Sequence, residues 1–410
     1  MTISKIQKME KTKIKSIKAV EISDSRGMPT VELKLETDFG FFRASVPSGV
    51  STGKYEAVEL RDDGKGVKKA IENIEKIIAP VLEKEDLTDQ KRVDEILINL
   101  DGTKNKSRLG ANAILPISIA VCRALAKARS ISLYHYVSEL AEARPPQRLP
   151  KPSFNMIEGG KHADSKLAFQ EFMVMPQSGN FKENLEIGKR IYGKLKKILK
   201  KKFKKMGLSS EGAFAAPVNV YEAMDLIAEA GRGENFKIAI DAAASSFYEN
   251  GRYKFERKTI SKEEIIEIYQ DLASRYPIIS IEDPFFEEDF DGFAELKGKI
   301  GESIIILGDD ITVSNIERIK LAQEKNACNG LILKPNQIGT VTETIEAAKL
   351  AKSFSWKIMV SNRGGETEDD FIADLAVGVG ADFIKSGAPF PKERMAKYDR
   401  LVKIEEEIHG

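Results

Sequence analysis

The chain has 410 residues, of which 42% are hydrophobic and 31% are charged, with 64 basic and 63 acidic side chains. This length suffices for two domains, and the balanced charge excludes a general attraction to nucleic acid, which is not an expected partner. The three histidines are too few for a multi-histidine zinc site, so the chemistry has to rest on carboxylates and lysines.

The N-terminal residues MTISKIQKMEKTKIK are basic but lack the apolar core of a signal peptide. No apolar run reaches the length expected of a membrane span. Cys122 and Cys328 lie far apart and fit two buried free thiols in a reducing compartment. These features predict a cytoplasmic protein with a basic N-terminal extension over residues 1–16.

Alternating apolar and polar residues come next, in SIKAVEI, TVELKLET and GFFRASV. Period-two alternation broken by short turns predicts an antiparallel meander. Helical spacing follows in GVKKAIENIEKIIAPVLEK, QKRVDEILINL and ANAILPISIAVCRALAKA. We therefore predict a small α+β domain over residues 17–148, with its boundary at the Pro-rich stretch ARPPQRLPKP.

Residues 149–410 show a different pattern, in which short apolar runs are followed by amphipathic helical segments. Six such runs recur: KIAIDAA, PIISIEDP, SIIILGDD, GLILKPN, KIMVSNR and ADFIKSG. Capping boxes at Ser261 with Glu264 and at Thr340 with Glu343 mark the starts of two helices. Strand–helix alternation over this length predicts an α/β fold with a parallel sheet closed into a (β/α)8-type barrel.

Each of the six runs ends in polar or charged residues. In chain order these are Asp241, Glu282, Asp309, Lys334, Asn362 with Arg363, and Lys385. Because the C-terminal strand ends of such a barrel open onto one face, we expect these side chains to converge on one pocket.

The residue types at these strand ends indicate a class of reaction. Three carboxylates without histidine or cysteine form a hard oxygen site that suits Mg²⁺. A lysine beside the ion has a lowered pKa and can act as a base, and Mg²⁺ stabilises the dianion formed when a proton leaves the carbon next to a carboxylate. The pattern predicts proton abstraction α to a carboxylate and leaves the substrate open.

From about residue 17 to the C-terminus, the chain resembles the enolase family. The resemblance rests on long stretches: SDSRGMPTVE, PSGVSTG, DGTKNKSRLGANAIL, GGKHADSKLAFQEFMVMP, SIEDPF, GDDITVSN, LILKPNQIGTVTET, RGGETEDDFIADLAVG and AKYDRLVKIEEE. It implies an α+β domain followed by a modified barrel, assembly as a homodimer, and Mg²⁺-dependent dehydration of 2-phosphoglycerate to phosphoenolpyruvate.

The resemblance also assigns roles to individual positions. It implies that Lys334 removes the α proton and that Glu211 in SSEGAFA helps the β-hydroxyl leave. The implied Mg²⁺ ligands are Asp241, Glu282 and Asp309, with Ser51 at a second ion. PSGVSTG would be a mobile loop with glycine hinges that closes the site. The implied substrate contacts are His162, Gln170, Glu171, Asn362, Arg363 for the phosphate, Gly364, and Lys385 for the carboxylate.

Four departures from the family pattern lie in or near this site. Asn362 replaces a histidine, Gly364 replaces a phosphate-contacting serine, and Ser210 replaces an aspartate. The loop in LRDDGKGVKKA is also shorter than the family's. Asn362 cannot titrate and Gly364 has no hydroxyl, so the departures affect the leaving-group and phosphate sides, whereas the proton-abstraction side is intact.

Three functions are compatible with this sequence. The first is the dehydration of 2-phosphoglycerate, and the second is a related reaction on a different hydroxy or phosphonate carboxylic acid. The third is a non-catalytic protein that binds an anionic partner through the basic run KLKKILKKKFKKMG, residues 194–207. The apolar residues of that run recur at helical spacing, which is equally typical of a barrel helix with a solvated face.

Overall fold

The computed structural model describes residues 12–50, 52–144, 147–163, 165, 167–204 and 206–409. A four-stranded antiparallel sheet with the order β3-β2-β1-β4 organises the first domain. Its strands are β1 (Thr12–Ser23), β2 (Pro29–Thr37), β3 (Gly40–Ser45) and the short β4 (Asp86–Leu87). β1 pairs with β2 and β2 with β3, both antiparallel, so the predicted meander is confirmed. β1 takes in residues 12–16 of the predicted extension.

Helices pack on this sheet, because their apolar faces and the alternate residues of the strands are buried together. They are α1 (Lys68–Asn73), α2 (Ala79–Leu82), α3 (Gln90–Asp101), α4 (Ala111–Ala128) and α5 (Leu133–Leu140). A π-helical segment, Ile74–Ile78, joins α1 to α2. The short loop after Leu60 closes through a bridge between Asp62 and Gly66.

α4 corrects one expectation from the sequence. By length and composition this helix is apolar enough to cross a membrane, although no such run is expected from the sequence. In the structure, 83% of its most apolar window is buried inside the protein. The helix packs on β2 and β3, so its apolar surface is explained by the core of the first domain.

The second domain contains the remaining strands and helices. Its strands are β5 (Lys151–Glu158), β6 (Glu171–Pro176), β7 (Gly207–Leu208), β8 (Phe214–Ala215), β9 (Phe236–Asp241), β10 (Tyr248–Glu249), β11 (Arg252–Phe255), β12 (Lys258–Ile260), β13 (Ile278–Glu282), β14 (Ile305–Gly308), β15 (Gly330–Leu333), β16 (Lys357–Ser361) and β17 (Phe383–Lys385). Its helices are α6 (Phe181–Lys202), α7 (Val220–Ala230), α8 (Lys262–Arg275), α9 (Phe290–Ile300), α10 (Ile316–Glu324), α11 (Pro335–Ile338), α12 (Val341–Ser353), α13 (Phe371–Gly378) and α14 (Lys392–His409).

Eight of these strands form a closed barrel, since β17 pairs with β5 and completes the circle through β6, β9 and β13 to β16. The predicted barrel and its six strands are confirmed. One strand departs from the parallel arrangement: β6 runs antiparallel to both β5 and β9. Its first residue therefore lies at the same end of the barrel as the last residues of its neighbours.

Buried apolar side chains fill the barrel interior, as in other closed barrels of this size. They are Met173, Met175, Ala239, Leu307, Ile332, Met359 and Phe383. The capping box of Ser261 and Glu264 is confirmed. At α12, Thr340 caps the helix, but Glu343 accepts a hydrogen bond from the Thr340 hydroxyl and pairs with Lys106, so the reciprocal half of that box is absent.

The basic run of residues 194–207 lies largely on α6. Leu195 and Leu199 are fully buried against the domain core, whereas the lysines of the helix are exposed or half-exposed. Lys194 forms an exposed ion pair with Glu234. The apolar spacing of this run is accounted for by packing of the helix on the barrel.

Candidate active site

The polar strand ends converge on a small cavity at one end of the barrel. Its volume is about 20 Å³, which leaves room for about one water molecule. It is lined by Val50, His162, Gln170, Glu171, Glu211, Asp241, Asp309, Lys334, Ser361, Asn362, Arg363, Gly364 and Lys385. Of the other predicted residues, Glu282 reaches this group through Lys385, and Ser51 lies outside the described residues.

Lys334 lies just beyond β15 and forms an ion pair with Asp309. The other carboxylate oxygen of Asp309 accepts a hydrogen bond from Gln337 Nε2 at 2.8 Å. Burial alone lowers the pKa of Lys334, but the charge of Asp309 outweighs it and raises that pKa. The same contact, working against burial, lowers the pKa of Asp309. This part of the site holds a charged lysine at a defined position.

Lys385, at the end of β17, contacts three carboxylates. Its Nζ lies 2.7 Å from Glu282 Oε2, 2.9 Å from Glu171 Oε2 and 3.4 Å from Asp241 Oδ2. The reversed direction of β6 makes this possible, because it places Glu171 directly opposite Asp241 in the sheet. Burial lowers the pKa of Lys385, but its carboxylate neighbours raise it well above the usual value.

The acidic residues of this part of the site have the features expected of a cation site. Burial raises the pKa of both Asp241 and Glu282, and each is raised further by neighbouring carboxylates. Glu282 Oε1 is buried and has no hydrogen-bond partner among the described residues. Carboxylate oxygens of Asp283, Asp309 and Asp310 also lie within 4.8 Å of one another. A divalent cation would stabilise these carboxylates, so the residues present fit such an ion.

Asp283 itself is held by the backbone. Its two oxygens accept the N–H groups of Asp309 at 2.9 Å and Asp310 at 2.7 Å. These bonds shape the turn after β14 and thereby set the position of Asp309. Asp283 is thus satisfied within the fold, whereas Glu282 has an oxygen available to a ligand.

Glu211 lies on the opposite side of the pocket, in the loop between β7 and β8. Its Oε2 accepts hydrogen bonds from Asn362 Nδ2 at 2.9 Å and Asn155 Nδ2 at 3.2 Å. Arg394 Nη1 lies 3.8 Å from the same oxygen. Asn362, which replaces the family's histidine, therefore positions Glu211 by hydrogen bonding although it cannot exchange a proton at neutral pH.

His162 is surrounded by three buried carboxylates. Its Nδ1 lies 3.3 Å from Glu171, 3.8 Å from Glu158 and 3.8 Å from Glu211. Burial alone lowers the pKa of His162, but the contact with Glu171 and the charges of Glu211 and Glu158 raise it to about 9. These carboxyl groups therefore favour the charged form of the ring.

Glu158 was missed in the analysis of the sequence, although a usable signal was present. It is the last residue of β5, and KPSFNMIE ends in a carboxylate just as β9 and β13 do. The stretch was not predicted as a barrel strand because its apolar run follows the Pro-rich boundary and is not preceded by a helix of the repeating pattern.

Arg363, the predicted phosphate ligand, is bound to other side chains of the protein. Its guanidinium donates to both oxygens of Glu56, at 2.9 and 3.1 Å, and to Asn336 Oδ1 at 2.8 Å. Glu56 belongs to the first domain, so this pair joins the two domains across the mouth of the barrel. An anion that binds Arg363 has to replace at least part of this contact.

The loop that contains PSGVSTG covers the pocket. Ser48 and Gly365 form an antiparallel bridge. Ser48 N donates to Gly365 O at 2.8 Å, and Gly365 N donates to Ser48 O at 2.9 Å. A Cβ atom added at Gly49 would lie 2.3 Å from Arg363 Nη2, so only glycine permits this approach of loop to arginine. The close contact explains the glycine, and its predicted role as a hinge stays a prediction.

Gly364, one of the departures from the family pattern, fits closely against this loop. A Cβ atom added at Gly364 would lie 2.6 Å from Val50 Cγ2 and 3.7 Å from His162 Nε2. Val50 thus occupies the space that a side chain at position 364 would need. The third departure, Ser210, has a buried hydroxyl without a hydrogen-bond partner among the described residues, and its carbonyl accepts from Arg394.

A much larger cavity, of about 1800 Å³, lies away from this site, beside the end of α6 and the strands β11 and β12. Size alone would favour it as a binding site. Its lining includes Lys200, Phe203 and Ile268 but not the converging carboxylates and lysines, so the chemistry of the side chains favours the small pocket.

Comparison with known protein families agrees with this geometry. Residues 14–137 match the family described as "Enolase, N-terminal domain". Residues 146–410 match the family described as "Enolase, C-terminal TIM barrel domain", which is a family of lyase-type enzymes. The two matches cover both domains in the expected order, and the chain therefore belongs to the enolase family.

Proposed function

We propose that this protein dehydrates 2-phospho-D-glycerate to phosphoenolpyruvate, a step of glycolysis and gluconeogenesis, in a Mg²⁺-dependent reaction. The observation that carries the proposal is that one closed pocket is lined by a buried lysine, Lys334, and by a buried carboxyl group, Glu211, on its other side. A base and an acid in one pocket are what the removal of an α proton and a β-hydroxyl requires.

Asp241, Glu282 and Asp309 would hold Mg²⁺, and Ser51 would contribute to a second ion. The bound ion supplies positive charge that stabilises the dianion formed on loss of the α proton. Lys334 takes that proton, and its contact with Asp309 fixes Nζ in place. Because Asp309 also raises the pKa of Lys334, the lysine becomes a base only when that carboxylate is otherwise neutralised.

The remaining residues would bind the substrate and assist the leaving group. Lys385 pairs with the substrate carboxylate, and Arg363 receives the phosphate when it releases Glu56. Glu211 donates a proton to the departing hydroxyl, while Asn155 and Asn362 hold its carboxyl group in place. Gln170, Glu171 and His162 complete the wall, and the loop around Val50 excludes water once it closes.

The test is an assay of purified protein with 2-phosphoglycerate and Mg²⁺, followed by the ultraviolet absorbance of the conjugated product. We expect turnover that is lost in Lys334→Met and on addition of a chelator. Mg²⁺ should also raise the unfolding temperature of the unchanged protein but not that of Asp241→Asn. Absence of turnover with a normal Mg²⁺ response would contradict the proposed substrate.

A second candidate is the same proton abstraction on a carboxylic acid that carries a different group in place of phosphate. The contact between Val50 and Gly364 favours it, because methyl groups replace a hydroxyl at this wall of the pocket. Exchange of α protons of candidate hydroxy acids with deuterated solvent, without turnover of 2-phosphoglycerate, would support this candidate.

We further propose that the protein acts in the cytoplasm as a homodimer. The proposal rests on membership of the enolase family, because resemblance to that family implies this assembly. Analytical ultracentrifugation of the purified protein tests the assembly, with a mass of twice 45.6 kDa expected. A sedimenting species of 45.6 kDa at micromolar concentration would contradict it.

A further inference from the structure

Glu158 has no role in the function proposed above, although it lies directly behind the pocket. It ends β5 and is fully buried, with 0% of the residue exposed. It is not among the residues that line the cavity. A buried carboxyl group that forms no ion pair with lysine or arginine among the described residues needs another reason to be stable.

An asparagine links Glu158 to Glu211. Asn155 Nδ2 donates to Glu158 Oε1 and also to Glu211 Oε2, at 3.2 Å in the second case. The second oxygen of Glu158 has no hydrogen-bond partner among the described residues and lies 3.8 Å from His162 Nδ1. His162 Nδ1 is at the same distance from Glu211 Oε1. The two carboxyl groups thus share one amide and one imidazole.

The charges around this pair are unequal. Glu171 adds a third carboxylate to the group, but Lys385 binds it at 2.9 Å. Arg394 lies near Glu211, whereas Glu158 is close to His162, the hydroxyl of Ser209 and the phenol of Tyr192 in addition to the other carboxyl groups. Two carboxylates that share a buried site cannot both be ionised at low cost, so a proton is retained between them. Burial, and after it the charge of Glu211, raises the pKa of Glu158 to about 8.

We propose that Glu158 is a positioning residue whose carboxyl group, held beside that of Glu211 by Asn155 and His162, retains one proton with it as a pair, so that this proton is available on the leaving-group side of the pocket. This role rests on the proposed function. It accounts for a site in which Asn362 holds Glu211 without titrating, because the pair of carboxyl groups then supplies the exchangeable proton. The partner of the acid is thus a second carboxyl group from β5.

The test separates the two halves of the reaction in Glu158→Gln, a variant that keeps the size of the side chain and its oxygen acceptor. Exchange of the α proton of 2-phosphoglycerate with deuterated solvent reports on Lys334, and formation of phosphoenolpyruvate reports on both halves. We expect dehydration to fall at least tenfold, as is typical for loss of acid catalysis, while exchange stays within about twofold, since Lys334 contacts neither Glu158 nor Glu211.

Asp94→Asn is the matched control. Asp94 is also a fully buried carboxyl group bound by an amide, that of Gln90, but it lies in the first domain away from the pocket. It should leave the ratio of exchange to dehydration unchanged, which separates a loss of stability from a specific effect.

Three outcomes would overturn the assignment. Equal rates of dehydration in Glu158→Gln and in the unchanged protein would show that Glu158 does not assist the leaving-group acid. Equal loss of exchange and dehydration in folded Glu158→Gln would show that Glu158 does not act on the leaving-group side. Absence of both activities in the unchanged protein would contradict the proposed function itself, which the other two outcomes leave standing.

Discussion

The two sides of the pocket stabilise their carboxylates in different ways. On the proton-abstraction side, Lys334 pairs with Asp309, and Lys385 pairs with Glu282, Glu171 and Asp241. On the leaving-group side, amides take the place of lysines, since Asn155 and Asn362 donate to Glu211.

The two sides therefore differ in whether their charges are fixed or can change by the gain or loss of a proton. An ion pair keeps both partners charged, so the lysine side presents a constant field to a substrate. An amide stabilises a carboxyl group in either protonation state, so the other side can hold and release a proton. All departures from the family pattern within the pocket, Asn362, Gly364 and the neighbouring Ser210, lie on or next to the second side.

The largest effect is expected on the proton-abstraction side. Lys334→Met removes the proposed base, so the rates of α-proton exchange and of dehydration should both fall by up to about 10,000-fold. Lys106→Met is the control, because Lys106 is also buried and paired with a glutamate but lies outside the pocket. Retention of exchange in Lys334→Met would assign the base to another residue.

Removal of Lys385 should affect stability more than that of any exposed lysine. Lys385→Met leaves three buried carboxylates without their shared cation, so the free energy of unfolding should fall by about 3–5 kcal/mol. Urea denaturation without Mg²⁺ measures it. Lys392→Met breaks the exposed pair with Glu368 and should leave the free energy of unfolding nearly unchanged, because solvent screens an exposed pair. Equal losses in the two variants would contradict the difference in burial.

The leaving-group side should respond to pH through His162. Its pKa is raised from 6.5 to about 9 on folding, so the folded state binds the additional proton. The resulting stability is complete below pH 6.5 and is lost as the pH rises through 9, in total about 3 kcal/mol. His162→Gln should therefore show a flatter decline of the unfolding free energy over this range. Parallel curves for the two proteins would refute a charged His162.

The smallest effect is expected where the loop meets the barrel. Gly364→Ser forces a side chain against Val50 and should lower kcat/KM about tenfold, a cost typical of overpacking. Val50→Ala in the same chain should restore most of it, with a coupling of about 1–2 kcal/mol in the double-mutant cycle. Simple additivity would mean that the two residues do not limit closure of the loop.

The fold was predictable because its signals are local and repeated. The alternating segments formed the first strands, the six apolar runs formed barrel strands, and the segments between them formed the predicted helices. The direction of β6 was not predictable, since an apolar run such as EFMVMP reads the same in a parallel or antiparallel strand. Its reversal decides that Glu171, at the start of a strand, faces the same pocket as residues at strand ends.

The candidate site was predictable in its members but not in their pairing. Polar strand ends and the family resemblance identified Lys334, Glu211 and the other lining residues. Two features depend on contacts between distant segments: the pair of Arg363 with Glu56, and the fit of Val50 against Gly364. The first joins residues more than 300 positions apart, and no local pattern in the chain encodes such a contact.

By itself, the sequence determined which carboxylates and lysines are available at one face of a barrel, because residue type and strand spacing decide this. The tertiary structure alone decided which of them share protons and which are locked in ion pairs. That distinction depends on burial and on distances of a few ångströms, which set the cost of each charge. Glu158 is the clearest case. Its residue type alone predicts an ordinary acid, and only its buried position beside Glu211 and His162 raises its pKa so that it can hold a proton.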